Sequence, residues 1–85
     1  MDAYEIARRA DALPDLFATR IAEQTLTSLQ QMRRGGEHGE LVIELTASLA
    51  NSGARVSPAE KEELRALLEA TEMPTHLLNR LVVVP

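Results

Sequence analysis

The sequence predicts an all-α protein, a small bundle of four to five helices in a single domain that covers residues 1–85. Three observations predict it. Apolar residues recur at the three- and four-residue spacing of helices. Gly and Pro residues separate these apolar segments. No run of residues shows the period-two alternation of a half-buried strand. A chain of 85 residues has the length of one domain.

The clearest prediction is a helix–turn–helix hairpin over residues 37–72. Asn51-Ser52-Gly53 is typical of a helix end, because glycine adopts the left-handed conformation that closes the last turn. Ser57-Pro58-Ala59-Glu60 is typical of a helix start, with Ser as the cap, Pro at the first helical position and Glu completing a capping box. The two helices are expected at residues 37–51 and 58–71.

Two helices are expected before the hairpin. The first covers Asp2 to Ala12, with Arg8 and Arg9 facing away from its apolar side. Pro14 ends it, because proline inside a helix removes a backbone hydrogen bond and clashes with the preceding turn. The second is expected from Pro14 to Arg33, before the Gly35-Gly36 stop. The sequence leaves open whether residues 1–34 form one bent helix or two.

A short fifth helix is expected from Thr75 to Leu81, after a break at Met73-Pro74. The tail Val82–Val84 is β-branched and apolar, so it favours extended chain and could pack as an arm or add to a partner. The helix at 37–51 is apolar on two sides and is expected to be central. The expected core leucines and valine of the last three helices are Leu41, Val42, Leu45, Leu49, Leu64, Leu67, Leu68, Leu77, Leu78 and Leu81.

The net charge of the chain is negative, and the charged residues are unevenly distributed. Residues 37–85 hold eight acids and four bases, whereas residues 1–36 hold five of each, so the second part carries the whole net charge of −4. Nucleic-acid-binding proteins usually have the opposite charge, and an acidic surface suits a basic protein partner. The alternative is that the charge only keeps a small protein in solution.

The cellular location is expected to be the cytoplasm. The chain has no cysteine, which excludes disulfides and thiolate metal sites. The charged N-terminal residues do not resemble a signal peptide, and no apolar run has the length of a membrane span.

Catalysis and cofactor binding are not predicted. His38 lies between Glu37 and Glu40, and an imidazole with two carboxylates could in principle bind a metal ion. A solvent-exposed histidine in the first turn of a helix is the simpler interpretation. His76 is interpreted as a residue at a helix start. No serine lies in a nucleophile motif, and the glycines near residue 36 lack the lysine of a phosphate loop. We expect a non-enzymatic protein with no metal and no cofactor.

A DNA-binding helix–turn–helix is the less favoured interpretation of the hairpin. Its connection, Asn51–Ser57, is longer than the usual turn of three to four residues. Its second helix carries five glutamates against Lys61 and Arg65, and this excess of negative charge would be repelled by phosphate.

Glutamates of the hairpin form the expected partner-binding surface. Glu37, Glu40 and Glu44 lie at positions i, i+3 and i+7, on one helix face. Like charges four residues apart slightly destabilise a helix, so a partner is one explanation for them and a solvated face is the other. The same reasoning adds three glutamates of the next helix: Glu62, Glu63 and Glu69.

A series of positions in the second part of the chain carries a family resemblance. They are Gly36-Glu37, Leu41, Leu45, Leu49, Val56-Ser57, Glu60, Leu64, Leu67, Met73-Pro74 and Leu77-Leu78. This pattern resembles the small immunity proteins of bacterial polymorphic toxin systems, closest to the MafI type, over about half of the chain. Residues 1–34 have no counterpart in it.

The resemblance implies an all-helical cytoplasmic protein that binds and blocks a cognate toxin, often a nuclease, by occlusion and charge matching. It implies no fixed binding residues, so the six glutamates depend on charge geometry alone. A generic helical interaction or oligomerisation domain, dimerising through Val82–Val84 or through leucine surface left exposed by the bundle, is the main alternative. No contact with nucleic acid or a membrane is expected.

Overall fold

The computed structural model describes residues 1–85 and confirms the all-α fold. The helices are α1 (Ala3–Asp11), α2 (Leu13–Leu16), α3 (Glu23–Arg34), α4 (His38–Ser52) and α5 (Pro58–Ala70). Two 3-10 helices lie at Ala18–Arg20 and His76–Arg80. Two short strands, β1 (Arg55–Val56) and β2 (Val82–Val83), pair in parallel. None of the helices combines the length and the apolar character needed to cross a membrane.

Helix α4 lies at the centre of the bundle, as its two apolar sides predict. It contacts α1, α3, α5 and the 3-10 helix at residues 76–80. On one side of α4, four residues are fully buried: Leu41, Val42, Leu45 and Leu49. Ile43 and Ala50 on the other side are partly buried and pack against the same core. Thr46 is the one buried polar side chain, and its hydroxyl donates to the Val42 carbonyl at 2.8 Å. Its burial therefore leaves no unpaired donor.

The joint between α4 and α5 forms as predicted. Gly53 ends α4 in the left-handed conformation, with a φ of 68°. At the start of α5, the Glu60 amide donates to the Ser57 hydroxyl at 3.0 Å, and the Ser57 amide donates to the Glu60 carboxylate at 2.9 Å. This capping box satisfies two amides that have no partner within the helix.

The prediction of one helix from Pro14 to Arg33 is wrong. Helix α2 ends at Leu16, and the chain reaches α3 through the 3-10 helix Ala18–Arg20 and two extended residues. Tertiary contacts explain the break. Phe17 is fully buried, and Arg20 stacks 4.3 Å above its ring while binding Glu60 of α5. These contacts override the helical preference of the local sequence.

The C-terminal segment also differs from its prediction. Residues 76–80 form a 3-10 helix instead of an α-helix, as is common for short helical segments that connect other elements. The tail packs as an arm on its own chain. Strand β2 lies beside β1, with Val82 opposite Arg55, and the Val84 amide donates to the Val56 carbonyl at 2.9 Å.

Helices α3, α4 and α5 end in the same hydrogen-bonded arrangement. In each, a residue with positive φ follows the last turn, and the next amide donates back to a carbonyl five residues earlier. Gly36 and Gly53 hold this position after α3 and α4. Glu72 holds it after α5 with a φ of 58°, and it is the one residue other than glycine with a positive φ.

Candidate protein-interaction surface

The acidic residues of the hairpin fall into two groups, those with a basic partner and those without one. Glu60, Glu62 and Glu63 form ion pairs with arginines. The remaining hairpin glutamates have no ion pair within 4.0 Å and are exposed to solvent: Glu37, Glu40, Glu44, Glu69 and Glu72. The unpaired carboxylates are therefore free to contact another molecule.

The three glutamates predicted for the first helix of the hairpin are all exposed in the structure. Glu37 directly precedes the helix, Glu40 lies in its first turn and Glu44 lies one turn further on. Negative charge near a helix N-terminus is favourable, which accounts for the first two. Glu44 lies beyond the first turn and four residues from Glu40, where like charges repel.

The three predicted glutamates of α5 differ from one another in their surroundings. Glu69 is exposed and unpaired, whereas Glu62 accepts a 3.4 Å contact from Arg65 at the surface. Glu63 binds Arg9 of α1 through both carboxylate oxygens, one of them at 2.9 Å from the Arg9 Nε. The hydrogen bond from Arg9 lowers the pKa of Glu63. Glu63 thus joins α1 to α5, and the prediction that Arg9 faces away is wrong.

Two helix ends bring four of the unpaired carboxylates to one end of the hairpin. A Cβ added to Gly39 near the start of α4 would lie 2.7 Å from the Met73 Cε and 3.2 Å from the Thr71 Cβ. The start of α4 therefore packs directly against the residues that follow α5. We call this region the acidic end and define it by its glutamates: Glu37, Glu40, Glu69 and Glu72.

An open groove of about 390 Å³ lies at the acidic end, between α1 and the two helix ends. Its apolar wall includes Ala3, Ile6 and Met73, and its polar side includes His38, Glu40 and Thr71. No lysine or arginine lines it. The exposed Tyr4 lies in α1 between two of its lining residues. The groove therefore combines apolar surface with a single carboxylate.

His38 differs from its predicted environment. Its side chain is only 24% exposed, and its Nδ1 lies 3.4 Å from the Asp11 Oδ1. Both atoms are buried and neither has a hydrogen-bond partner with good geometry. No group of three or more side chains with metal-binding atoms is close enough together to hold a metal ion.

Glu72 and the groove were not predicted from the sequence. The break at Met73-Pro74 indicates a helix end, but nothing local indicates that a glutamate takes the position usually held by glycine. The groove depends on α1 packing against the hairpin, and this contact is tertiary.

Comparison with protein-family models, with curated proteins and with solved structures finds no match to this chain.

Proposed function

We propose that this protein is an immunity-type inhibitor, which binds a cognate bacterial toxin in the cytoplasm and occludes the toxin's active or nucleic-acid-binding surface. The observation that carries the proposal is the group of exposed, unpaired carboxylates at the acidic end and along α4. The resemblance of the hairpin to MafI-type immunity proteins also supports this proposal. The protein acts by binding and performs no chemistry.

Charge complementarity is the physical basis of the proposed inhibition. A nuclease presents a basic groove to nucleic acid, because phosphate neutralisation dominates its affinity. Carboxylates fixed on packed helices can occupy that groove in place of phosphates. Complementary charge also accelerates encounter of the two proteins, which favours rapid neutralisation of a toxin.

Two of the carboxylates occupy positions that reduce the stability of the protein. Glu69 and Glu72 lie at the C-terminal end of α5, where the helix dipole disfavours negative charge and no basic residue lies in the last turn. Glu72 also has a backbone conformation that is costly for any residue except glycine. Local rules are most often broken at functional sites, which supports a binding role for the acidic end.

The test of this proposal uses the protein encoded by the neighbouring open reading frame. Its C-terminal domain is produced in bacteria with and without this chain, and the mixture is measured by size exclusion with light scattering. We expect restored growth and a one-to-one complex. Absence of both protection and complex formation would reject the immunity function.

A second experiment tests the surface. Glu44→Lys on α4 is compared with Glu23→Lys on α3, because both glutamates are exposed and unpaired and both changes alter the net charge equally. We expect Glu44→Lys to weaken toxin binding more strongly and to reduce its dependence on salt. Equal effects of the two variants would show that α4 does not form the contact.

One observation favours a second candidate function, a helical oligomerisation domain. Val82 and Val83 of β2 are 43% and 38% exposed, and the two-stranded sheet leaves an outer edge of β2 unpaired. Such an edge can pair with a strand of another chain. Light scattering of the isolated protein separates the candidates, since a monomer at high concentration excludes self-assembly through β2.

A further inference from the structure

The groove at the acidic end has the two chemical features that a long cationic side chain requires. Ala3, Ile6 and Met73 supply apolar surface, and Glu40 supplies a carboxylate at the same cavity. Lysine and arginine bury their methylene stems on apolar surface while their charged ends bind acidic groups. A short or purely apolar side chain would leave the carboxylate without a partner and partly desolvated.

The charge around the groove favours a cation over any other occupant. The lining contains no lysine or arginine. Glu37 and Glu72, both exposed and unpaired, are immediate chain neighbours of lining residues on the two sides of the groove. An anionic group would therefore be repelled by these carboxylates, and a cationic group would be attracted.

The hydroxyl oxygen of Thr71 is also available to accept a hydrogen bond from a group in the groove. It donates its own proton to the Leu67 carbonyl at 2.7 Å, so toward the groove it can offer only lone pairs. With Glu40, it gives the groove two groups that accept hydrogen bonds. Arginine and lysine carry only donors at their charged ends, which matches this pair.

We propose that this groove holds one arginine or lysine side chain presented by a partner protein. The inference depends on the proposed function, because the partner that supplies the side chain is the basic toxin. It adds a specific anchor within the acidic surface: the stem contacts α1 and Met73, and the cationic end contacts Glu40 and Thr71.

The first test needs no toxin. Capped arginine and capped lysine are titrated at millimolar concentration into the ¹⁵N-labelled protein, with capped citrulline as the neutral isostere of arginine. We expect the amide signals of Gly39, Glu40 and Met73 to shift with both cations and not with citrulline. Equal shifts with citrulline, or no shifts at these residues, would overturn the proposal. The dissociation constants obtained from the two titrations identify which of the two side chains is preferred.

Variants test the groove in the complex with the toxin. Glu40→Gln removes the carboxylate of the groove, and Glu44→Gln is the matched control on the same helix outside it. We expect Glu40→Gln to weaken binding by more than about 10-fold, as for loss of a hydrogen bond to a charged group. Glu44→Gln should weaken it by less than about 5-fold, as for an exposed charge. Ala3→Leu, which fills the groove from its exposed rim, should also weaken binding.

The outcomes separate the anchor from the proposed function. Binding by Glu40→Gln within about 5-fold of the unaltered protein, with unchanged binding by Ala3→Leu, would reject the groove while leaving toxin binding intact. Failure to bind the toxin at all would reject the immunity function, and the titration with capped arginine would still decide the chemistry of the groove.

Discussion

Arg20 and Glu60 join the 3-10 helix before α3 to the first turn of α5 through two N–H···O bonds of 2.8 Å each. The same carboxylate accepts the Ser57 amide in the capping box. The pKa of Glu60 is lowered to about 2, mainly by the hydrogen bond from Arg20 and also by the bonds with Ser57. One side chain therefore holds both a helix start and a contact between two distant segments.

The lowered pKa of Glu60 predicts a specific loss of stability in acid. Because the folded-state pKa, about 2, lies below the ordinary value of 4.5, the ionised carboxylate stabilises the fold above pH 4.5. This contribution is lost as the pH falls from 4.5 toward 2. Glu60→Gln should lower the free energy of unfolding by about 1–2 kcal/mol at pH 7 and flatten its dependence on pH in this window. Urea unfolding at pH 7, 4 and 2.5 measures both effects.

Glu44→Gln is the control for that experiment, because Glu44 is exposed and has no ion pair. It should leave the stability within about 0.5 kcal/mol of the unaltered protein. A Glu60→Gln variant with the same acid profile as the unaltered protein would contradict the role of this carboxylate.

Replacement of Glu72 by glycine should stabilise the protein. Its φ of 58° is costly for a side-chain-bearing residue, and the change also removes a negative charge from the C-terminal end of a helix. We expect a gain of about 0.5–1 kcal/mol, measured by thermal or urea unfolding. Glu69→Gln removes a charge at the same end without altering the backbone, so the difference between the variants isolates the contribution of conformation. A less stable Glu72→Gly variant would show that the glutamate side chain has a stabilising contact.

Two leucines in different environments test the position of the core. Leu45 of α4 is fully buried, whereas Leu16 at the end of α2 is 54% exposed. Leu45→Ala should cost about 2–5 kcal/mol, a large fraction of the stability of so small a domain. Leu16→Ala should cost less than about 1 kcal/mol. Circular dichroism during urea unfolding compares them, and similar costs would contradict the central position of α4.

The contact between Asp11 and His38 predicts which imidazole nitrogen carries the proton. The two buried atoms, Asp11 Oδ1 and His38 Nδ1, are 3.4 Å apart, and they attract each other only when Nδ1 is protonated. In the neutral ring we therefore expect the proton on Nδ1, observed by ¹⁵N NMR of the side chain. Asp11→Ala should remove the preference of the proton for Nδ1. His76, exposed and without an ion pair, serves as the internal reference.

The parts of the fold that were predicted are those encoded by neighbouring residues. Gly53, Ser57 and Glu60 act on the backbone within one turn of themselves, so the hairpin could be read from the sequence. The break after Leu16 could not, because it depends on the burial of Phe17 among distant residues.

The contact between β1 and β2 was also not predicted, since it joins residues 55–56 to residues 82–83. No local pattern specifies such pairing when the strands have two residues each.

The candidate surface was likewise predictable where it depends on neighbouring residues and not where it depends on tertiary contacts. Helical periodicity correctly predicts that Glu40 and Glu44 lie on an exposed face of α4, and Glu37, which precedes the helix, is also exposed. Periodicity cannot show which carboxylates bind an arginine on another helix, and for this reason the sequence predicts a partner-binding role for Glu63, although Glu63 binds Arg9. The pairing is decided by how α1 packs on α5.

The position of Tyr4 gives the protein a built-in optical reporter. The chain contains one tyrosine and no tryptophan, and Tyr4 is 77% exposed beside the groove. Emission excited at a wavelength that phenylalanine does not absorb therefore comes from this single, largely exposed ring. A tyrosine-free, tryptophan-free cationic peptide that covers the groove would change this emission, so its binding can be followed without any attached dye.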